Sequence, residues 1–98
     1  MTEDQRIHLD GYIDVPADRM ATVEAALVIH IDLTREEVGC VSFEVIPCKT
    51  VEGRFLVSEI FTNQATFDDH QTRAKASAWF AASDGLAREY TIRVGGES

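Results

Sequence analysis

The sequence has few cysteines, and their positions argue against both a disulfide and a zinc site. Cys40 and Cys48 are the only two cysteines in 98 residues. They flank a segment that we predict to be extended, and eight residues of strand span about 26 Å. A disulfide needs Cα atoms within about 7 Å of each other. Because CxxC spacing is also missing, we expect two free thiols, which agrees with a reducing compartment.

The sequence also lacks long apolar runs and an excess of basic residues. No run approaches the roughly 20 apolar residues that a membrane helix needs. Residues 1–5 lack the basic start and apolar core of a secretory signal, so we expect a cytoplasmic protein. Nine Lys and Arg stand against 17 Asp and Glu, which gives a net charge of −8. This charge opposes binding to nucleic acid and to anionic membranes.

The length and composition are those of one globular domain. Apolar residues make up 45% of the chain and charged residues 27%, as in ordinary soluble proteins. We expect a single domain over residues 1–98, with its core at about residues 7–94. A domain of this size buries only about two-thirds of the surface that its unfolded chain exposes, so association would help to stabilise it.

Alternating apolar and polar residues predict four strands, at residues 7–15, 40–47, 54–62 and 87–94. In the second strand, one face carries Val41, Phe43 and Val45. In the third strand, a carboxyl group shares a face with apolar side chains, in the order Phe55, Val57, Glu59 and Phe61. In the first strand, the polar face carries His8, Asp10, Tyr12 and Asp14.

Two amphipathic helices separate these strands. The first is predicted over residues 17–34, where apolar residues recur at helical spacing at Met20, Val23, Leu27 and Ile31. The second is predicted from the N-cap residue Asn63 to about Ala82. The order βαββαβ is that of the ferredoxin-like α+β fold, an antiparallel sheet with both helices on one face. Apolar side chains on the other face predict a C2 homodimer whose sheets pack face to face.

Several segments together resemble the antibiotic biosynthesis monooxygenase family. The segments are HIDLTREEVGCVSFEV at 30–45, FLVSEIF at 55–61, FDDH at 67–70, a tryptophan at 79 and REYTI at 88–92. The resemblance extends over about residues 7–94 and implies the dimeric α+β barrel fold. Members of that family include cofactor-free monooxygenases of quinols and polycyclic phenols, haem-degrading enzymes, and an isomerase of a phosphorylated signalling molecule.

Three residues are the candidate catalytic groups. His70 lies one turn after Phe67 on the helix flank that should face the sheet, and the resemblance implies a histidine at the border of the pocket. An imidazole there is suited to take a proton from a phenol; the alternative is a structural histidine. His30 lies at the edge of the first apolar stripe, and its alternative is a partly exposed helix histidine.

Glu59 is the third candidate, because a carboxyl group on an apolar strand face needs compensation. It is either a pocket group with a raised pKa or half of a buried ion pair. The possible partners are Arg35, Arg54 and Arg93. The resemblance implies a glutamate here, often with a structural role.

Five aromatic residues are candidates for packing a planar substrate, namely Tyr12, Phe43, Phe61, Phe67 and Trp79. Their alternative is the hydrophobic core. We expect no metal site, because three histidines without an HExxH motif give no ligand pattern. We also expect no cofactor. No glycine-rich loop follows a strand, and the asparagine and second-helix histidine of the haem-degrading branch are missing from residues 8–14 and 73–82.

These observations lead to one main functional hypothesis and two alternatives. The main hypothesis is a cofactor-independent monooxygenase that oxidises a hydroquinone or aromatic phenol with dioxygen, with His70 as the base. His30 and Glu59 would orient or tune this histidine. One alternative is a non-catalytic dimeric module that binds a small molecule, and the other is an isomerase of a carbonyl metabolite.

Overall fold

Four strands and three helices make up the computed structural model, which describes residues 4–95. The strands are β1 (Ile7–Asp14), β2 (Cys40–Pro47), β3 (Arg54–Phe61) and β4 (Arg88–Val94). The helices are α1 (Met20–Arg35), α2 (Gln64–Lys75) and α3 (Ala78–Ala82), and a 3₁₀ turn at Ala17–Arg19 precedes α1. Residues 1–3 and 96–98, at the ends of the predicted domain, lie outside the described residues. None of the helices within 4–95 is long and apolar enough to cross a membrane.

The strands form one antiparallel sheet in the order β2-β3-β1-β4. β1 pairs with both β3 and β4, and β2 pairs with β3. Helix α1 packs over β2, and α2 packs over β3. The predicted ferredoxin-like α+β fold is confirmed, with strand bounds within one residue of those expected.

The core lies between this sheet and the helices. Residues paired across antiparallel strands point to the same face, so the pairs Ile7 with Phe61, Leu9 with Glu59, and Ile13 with Phe55 define the inner face. All of these side chains are buried. The parity that was predicted for the third strand is therefore correct, and Glu59 does lie among apolar neighbours.

The second strand differs from its predicted pattern at Val41. The register steps from Cys40 opposite Phe61 to Ser42 opposite Ile60, so Val41 is an extra residue in a bulge. A bulge reverses the alternation, and Cys40 packs against the core in place of Val41, which is 51% exposed. The prediction that Val41 shares a face with Phe43 and Val45 is wrong.

The first helix begins later than predicted and buries a different stripe. The 3₁₀ turn occupies the expected first turn, and regular α-helix begins at Met20. Its buried residues are Val23, Leu27, His30 and Thr34. The buried stripe therefore passes through His30 instead of Ile31, because the side of the helix that carries His30 faces the sheet. This histidine lies at the centre of the buried face rather than at its edge.

The second predicted helix is two helices. Asn63 caps α2 as expected: its Oδ1 accepts from the Thr66 N–H at 2.9 Å, and the Thr66 hydroxyl accepts from the Asn63 N–H at 3.3 Å. The helix stops at Lys75, because Ser77 has an extended backbone and its hydroxyl donates to the carbonyl oxygen of Ala74 at 2.7 Å. The prediction of one helix through residue 82 is wrong.

The outer face of the sheet carries exposed apolar side chains. Ile46 and Leu56 are paired across β2 and β3 and are 53% and 40% exposed, and Val41 lies on the same edge. This surface is where the sequence predicted a partner subunit. The homodimer stays a prediction.

Candidate functional site

A cavity of about 200 Å³ lies between the inner face of the sheet and the helices. Its walls come from β1, β3 and β4 and from all three helices. The polar and aromatic groups that line it include His30, Glu59, His70, Trp79, Arg88 and Tyr90. A smaller space of about 30 Å³ shares four of these residues and extends from them towards Phe43.

His70 lies between two carboxyl groups. It is buried on α2, with 3% of its surface exposed. Its Nδ1 is 3.2 Å from both carboxylate oxygens of Glu37. Its Nε2 is 4.0 Å from Oε1 of Glu59. The capped start of α2 sets the rotation of the helix, and so brings Phe67 and His70 together on its buried side.

Glu37 is held in place by a second residue of α2. The Nε of Arg73 donates to Oε2 of Glu37, and its Nη2 donates to the Thr34 hydroxyl at 2.9 Å. His70 and Arg73 are three residues apart on one helix, so both reach the loop that follows α1. No pattern in the sequence pointed to Glu37 or Arg73. The signal available for Arg73 was its position one turn after His70.

This arrangement fixes the state of the imidazole. A carboxylate only accepts hydrogen bonds, so the bond to Glu37 places the proton on Nδ1 and leaves the Nε2 lone pair free. Burial lowers the pKa of His70, and the hydrogen bond that the ring donates to Glu37 acts in the opposite direction. The neutral ring therefore presents an acceptor nitrogen on the side of Glu59.

Glu59 is a protonated acid at neutral pH. Burial, together with the charges of Glu37 and Asp10, raises its pKa to about 8. Its Oε1 has no hydrogen-bond partner within residues 4–95. The group next to it is an imidazole, and a neutral carboxylic acid can donate a proton to that acceptor.

The predicted arginine partners of Glu59 lie elsewhere. Arg54 binds the carboxylate of Asp14 with two hydrogen bonds, of 2.7 and 3.0 Å. Arg35 donates to the carbonyl oxygen of Phe43 and to Glu44. Arg93 is opposite His8 in the register, on the other face of the sheet. Of the two interpretations left open by the sequence, the structure supports a pocket group with a raised pKa.

His30 completes the polar part of the cavity. Its ring stacks on Trp79, with centroids 5.2 Å apart and an interplanar angle of 11°, and it lies 5.6 Å from the His70 ring. Burial lowers the pKa of His30 to about 4, assisted by the charges of His70 and Arg73. Its Nδ1 is buried without a partner in the described part of the chain. A buried polar atom of this kind usually bonds a water or a ligand.

Comparisons with known proteins identify the family of this chain. The sequence model described as "Antibiotic biosynthesis monooxygenase" matches residues 6–82. The chain belongs to the antibiotic biosynthesis monooxygenase family. A search of curated proteins found no match to this chain.

Solved structures of similar fold agree with this assignment to the antibiotic biosynthesis monooxygenase family. A "putative antibiotic biosynthesis monooxygenase" from Caulobacter crescentus has a TM-score of 0.78 at 20% identity, with 97% of this chain and 94% of that chain covered. Another so described, from Deinococcus radiodurans, has a TM-score of 0.74 at 22% identity, with 94% of each chain covered. A Bacteroides thetaiotaomicron protein of unknown function, described as a "possible oxidoreductase", has a TM-score of 0.75 at 14% identity, with coverages of 93% and 98%. At these identities the likeness shows the fold.

In this member of the antibiotic biosynthesis monooxygenase family, the aromatic candidates fall into three groups. Trp79 and Phe43 line the two spaces of the cavity. Phe61 lies in the core 4.8 Å from the His70 ring, with Phe67 packed on it at 5.7 Å. Tyr12 lies on the outer face of the sheet, where the Arg54 guanidinium stacks over its ring at 3.6 Å. The prediction that Tyr12 lines the site is wrong.

Proposed function

We propose that the protein is a cofactor-independent monooxygenase that oxidises a hydroquinone or a related phenol with dioxygen in this cavity. The observation that supports it most is the state of His70. A buried neutral imidazole, held through Nδ1 by Glu37, leaves Nε2 as the one ring atom able to accept a proton. A general base for a phenol needs this arrangement.

The first step is proton transfer from the substrate hydroxyl to Nε2 of His70. The imidazolium that forms lies next to the carboxylate of Glu37, which stabilises its charge. Arg73 keeps that carboxylate in position. The resulting phenolate is rich in electrons and can pass one to dioxygen, whereas the neutral phenol does so poorly.

The remaining steps need no outside reductant. The two radicals combine as a C–O bond forms, and this gives a hydroperoxide on the ring. The peroxide takes the proton held by His70 to become this hydroperoxide. Glu59, in its acid form, then protonates the outer oxygen as the O–O bond breaks. The C–H bond of the oxygenated ring carbon breaks to leave a carbonyl group, and its proton restores the acid form of Glu59. One oxygen atom stays on the ring and the other leaves as water. A hydroquinone thus becomes a hydroxyquinone, and the substrate supplies all four electrons that reduce dioxygen.

The aromatic walls of the cavity suit a flat substrate. Trp79 and His30 are stacked, and Phe43 meets the His30 ring edge-on at 5.4 Å. An apolar cavity of about 150 Å³ admits benzene, and the cavity here is about 200 Å³. A single ring with one or two small substituents fits this space.

Oxygen uptake tests the proposal. The metal-stripped, flavin-free protein is given monocyclic and bicyclic hydroquinones beside a protein-free blank. We expect uptake above the blank that falls about 100-fold or more in His70→Ala. Lys49→Gln is the control, because Lys49 is exposed in the β2–β3 loop away from the cavity. Full activity in His70→Ala would remove its role as base. Ligand binding reported by Trp79 fluorescence without uptake would favour a binding module.

We also propose that the protein is a homodimer formed through the outer face of the sheet. The exposed apolar side chains there, Val41, Ile46 and Leu56, support the proposal because apolar side chains left in water are costly. Sedimentation at micromolar concentration should give twice the chain mass of 10.9 kDa. A monomer at that concentration would contradict it.

A further inference from the structure

The cavity has a charge opposite to that of the molecule. The chain carries a net charge of −8. Among the described residues that line the cavity, however, the cations Lys75 and Arg88 stand with one carboxyl group, Glu59. With Glu59 protonated at neutral pH, the lining carries two positive charges. Ionised Glu59 would still leave one.

Neither cation is neutralised by the protein within residues 4–95. Arg88 donates to the carbonyl oxygens of Ser83 and Leu86, which uses one hydrogen of Nη2 and the single hydrogen of Nε. The guanidinium has five N–H donors; one more donates to the Tyr90 hydroxyl, so two remain. Lys75 is exposed and forms no ion pair or hydrogen bond with the described residues. Arg73, on the far side of His70, is by contrast paired with Glu37.

We propose that the ligand of this cavity is a single-ring aromatic carboxylate, whose carboxylate binds to Arg88 and Lys75 and whose ring enters the space lined by His30 and Trp79. The inference goes beyond the proposed oxidation and rests on it only for the hydroxyl groups of the substrate. If that reaction is correct, the substrate is a hydroquinone that carries one carboxylate.

Two features favour a carboxylate over a neutral phenol, and the cavity volume limits the ligand to one ring. The planar fork of an arginine matches a carboxylate with two parallel hydrogen bonds. The volume of about 200 Å³ leaves space for one ring and a small planar substituent. Elsewhere the acidic surface repels an anion, so two local cations at the cavity concentrate it there.

Isothermal titration calorimetry with a matched ligand pair tests the inference. The pair is 4-hydroxybenzoate and 4-hydroxybenzamide, which share ring, hydroxyl and shape and differ in charge. Both are titrated into the full chain at pH 7.5 and 50 mM NaCl. We expect the acid to bind about tenfold or more tightly than the amide. That preference should shrink at 500 mM NaCl, since salt screens the attraction.

Two variants locate the anion. Lys75→Gln should weaken binding of the acid about threefold and leave the amide unchanged. Lys49→Gln removes the same charge in the β2–β3 loop away from the cavity and should change neither affinity. Arg88→Gln should weaken the acid about tenfold. Arg88 also donates hydrogen bonds to the carbonyl oxygens of Ser83 and Leu86, so its substitution also removes structural contacts. If Arg88→Gln fails to fold, Lys75→Gln still tests the proposal.

The outcomes separate this inference from the proposed reaction. Equal affinity for acid and amide, or binding of neither, would overturn the carboxylate ligand whatever the enzyme oxidises. So would an effect of Lys49→Gln as large as that of Lys75→Gln. Selective binding of the acid together with no oxygen uptake on 2,5-dihydroxybenzoate would support the ligand class and count against the monooxygenase.

Discussion

Two carboxyl groups lie on opposite sides of the His70 ring, and they meet it in different ways. Glu37 accepts hydrogen bonds from His70 and Arg73, and so carries its negative charge among donors. Glu59 lies 4.0 Å from the other ring nitrogen, and its Oε1 has no partner in the described chain. Both side chains are largely shielded, at 18% and 10% exposed. The two carboxyl groups thus differ in the hydrogen-bond donors around them.

His70 thus has a hydrogen-bond acceptor, Glu37, on one side and an acid, Glu59, on the other. The Glu37 side stabilises a positive charge on the ring, while the Glu59 side offers a proton to the cavity. A site that moves a proton from substrate to oxygen needs both functions. The following changes alter one side at a time.

The largest expected effect is on stability, in Glu59→Gln. The folded protein holds the Glu59 proton up to a pKa of about 8, against an ordinary value of 4.5. The stabilisation is complete below pH 4.5 and is lost as pH rises through 8, because the unfolded chain has already released this proton. Relative to Glu59→Gln, the free energy of unfolding of the wild type should fall by about 3–5 kcal/mol between pH 4.5 and pH 8.

Urea unfolding at several pH values measures this difference, with Glu44→Gln as the control. Glu44 is an exposed carboxylate on β2 whose side chain is 61% accessible, so its removal should not change the pH slope. Parallel stability curves for wild type and Glu59→Gln would contradict a buried neutral acid.

Next is the effect of Glu37→Gln on turnover. The amide still meets the imidazole, but it gives no charge to stabilise the imidazolium and leaves Arg73 without its counter-ion. We expect kcat to fall about 10- to 100-fold, measured as oxygen uptake. Glu44→Gln again serves as the control. A variant as active as the wild type would show that Glu37 has only a structural role.

The pH profile of kcat/KM should report the His70 side. A base acts when neutral, so activity falls as pH drops through its pKa. Burial holds the pKa of His70 below the ordinary 6.5, and the acid limb should therefore lie below pH 6.5. Glu37→Gln removes the carboxylate that raises this pKa, and the limb should move to still lower pH. A shift upwards would exclude this account.

The smallest effect is expected for Arg73→Lys. Lysine keeps the positive charge but cannot bond Glu37 and Thr34 together as the guanidinium does. Stability should fall by about 1 kcal/mol in urea unfolding, with little change in turnover. Arg6→Lys, in an exposed pair with Asp4, is the control. A loss of activity equal to that of Glu37→Gln would show that turnover needs the two hydrogen bonds of the guanidinium.

The fold could be predicted because its strands follow local alternation. Glu59 and Phe61 lie on the same face of the sheet, as the alternation of residues in the strand predicted. The bulge at Val41 could not be predicted, since the apolar alternation continues through it and only the register with β3 reveals it. The break at Ser77 was missed for a similar reason. Alanines surround it and favour a continuous helix.

The site was predicted in part. His70, His30 and Glu59 do meet in one cavity, while their roles stay predictions. Glu37 was missed because its contact with His70 spans 33 positions and depends on the packing of two helices. Tyr12 could have been placed correctly. The parity of the first strand had already put it on the polar face, opposite the side that holds the core.

Helix α3 forms one wall of the cavity, and its brevity has a kinetic consequence. Five residues make little more than one turn, and none of them is buried. A helix this short does not persist alone; Arg19 secures its end by donating to the carbonyl oxygens of Ala82 and Asp84. Local opening should therefore cost less free energy here than in α1, and the amide hydrogens of α3 should exchange with solvent sooner. Fraying of this wall, rather than motion of the sheet, would then set how fast a ligand enters and leaves.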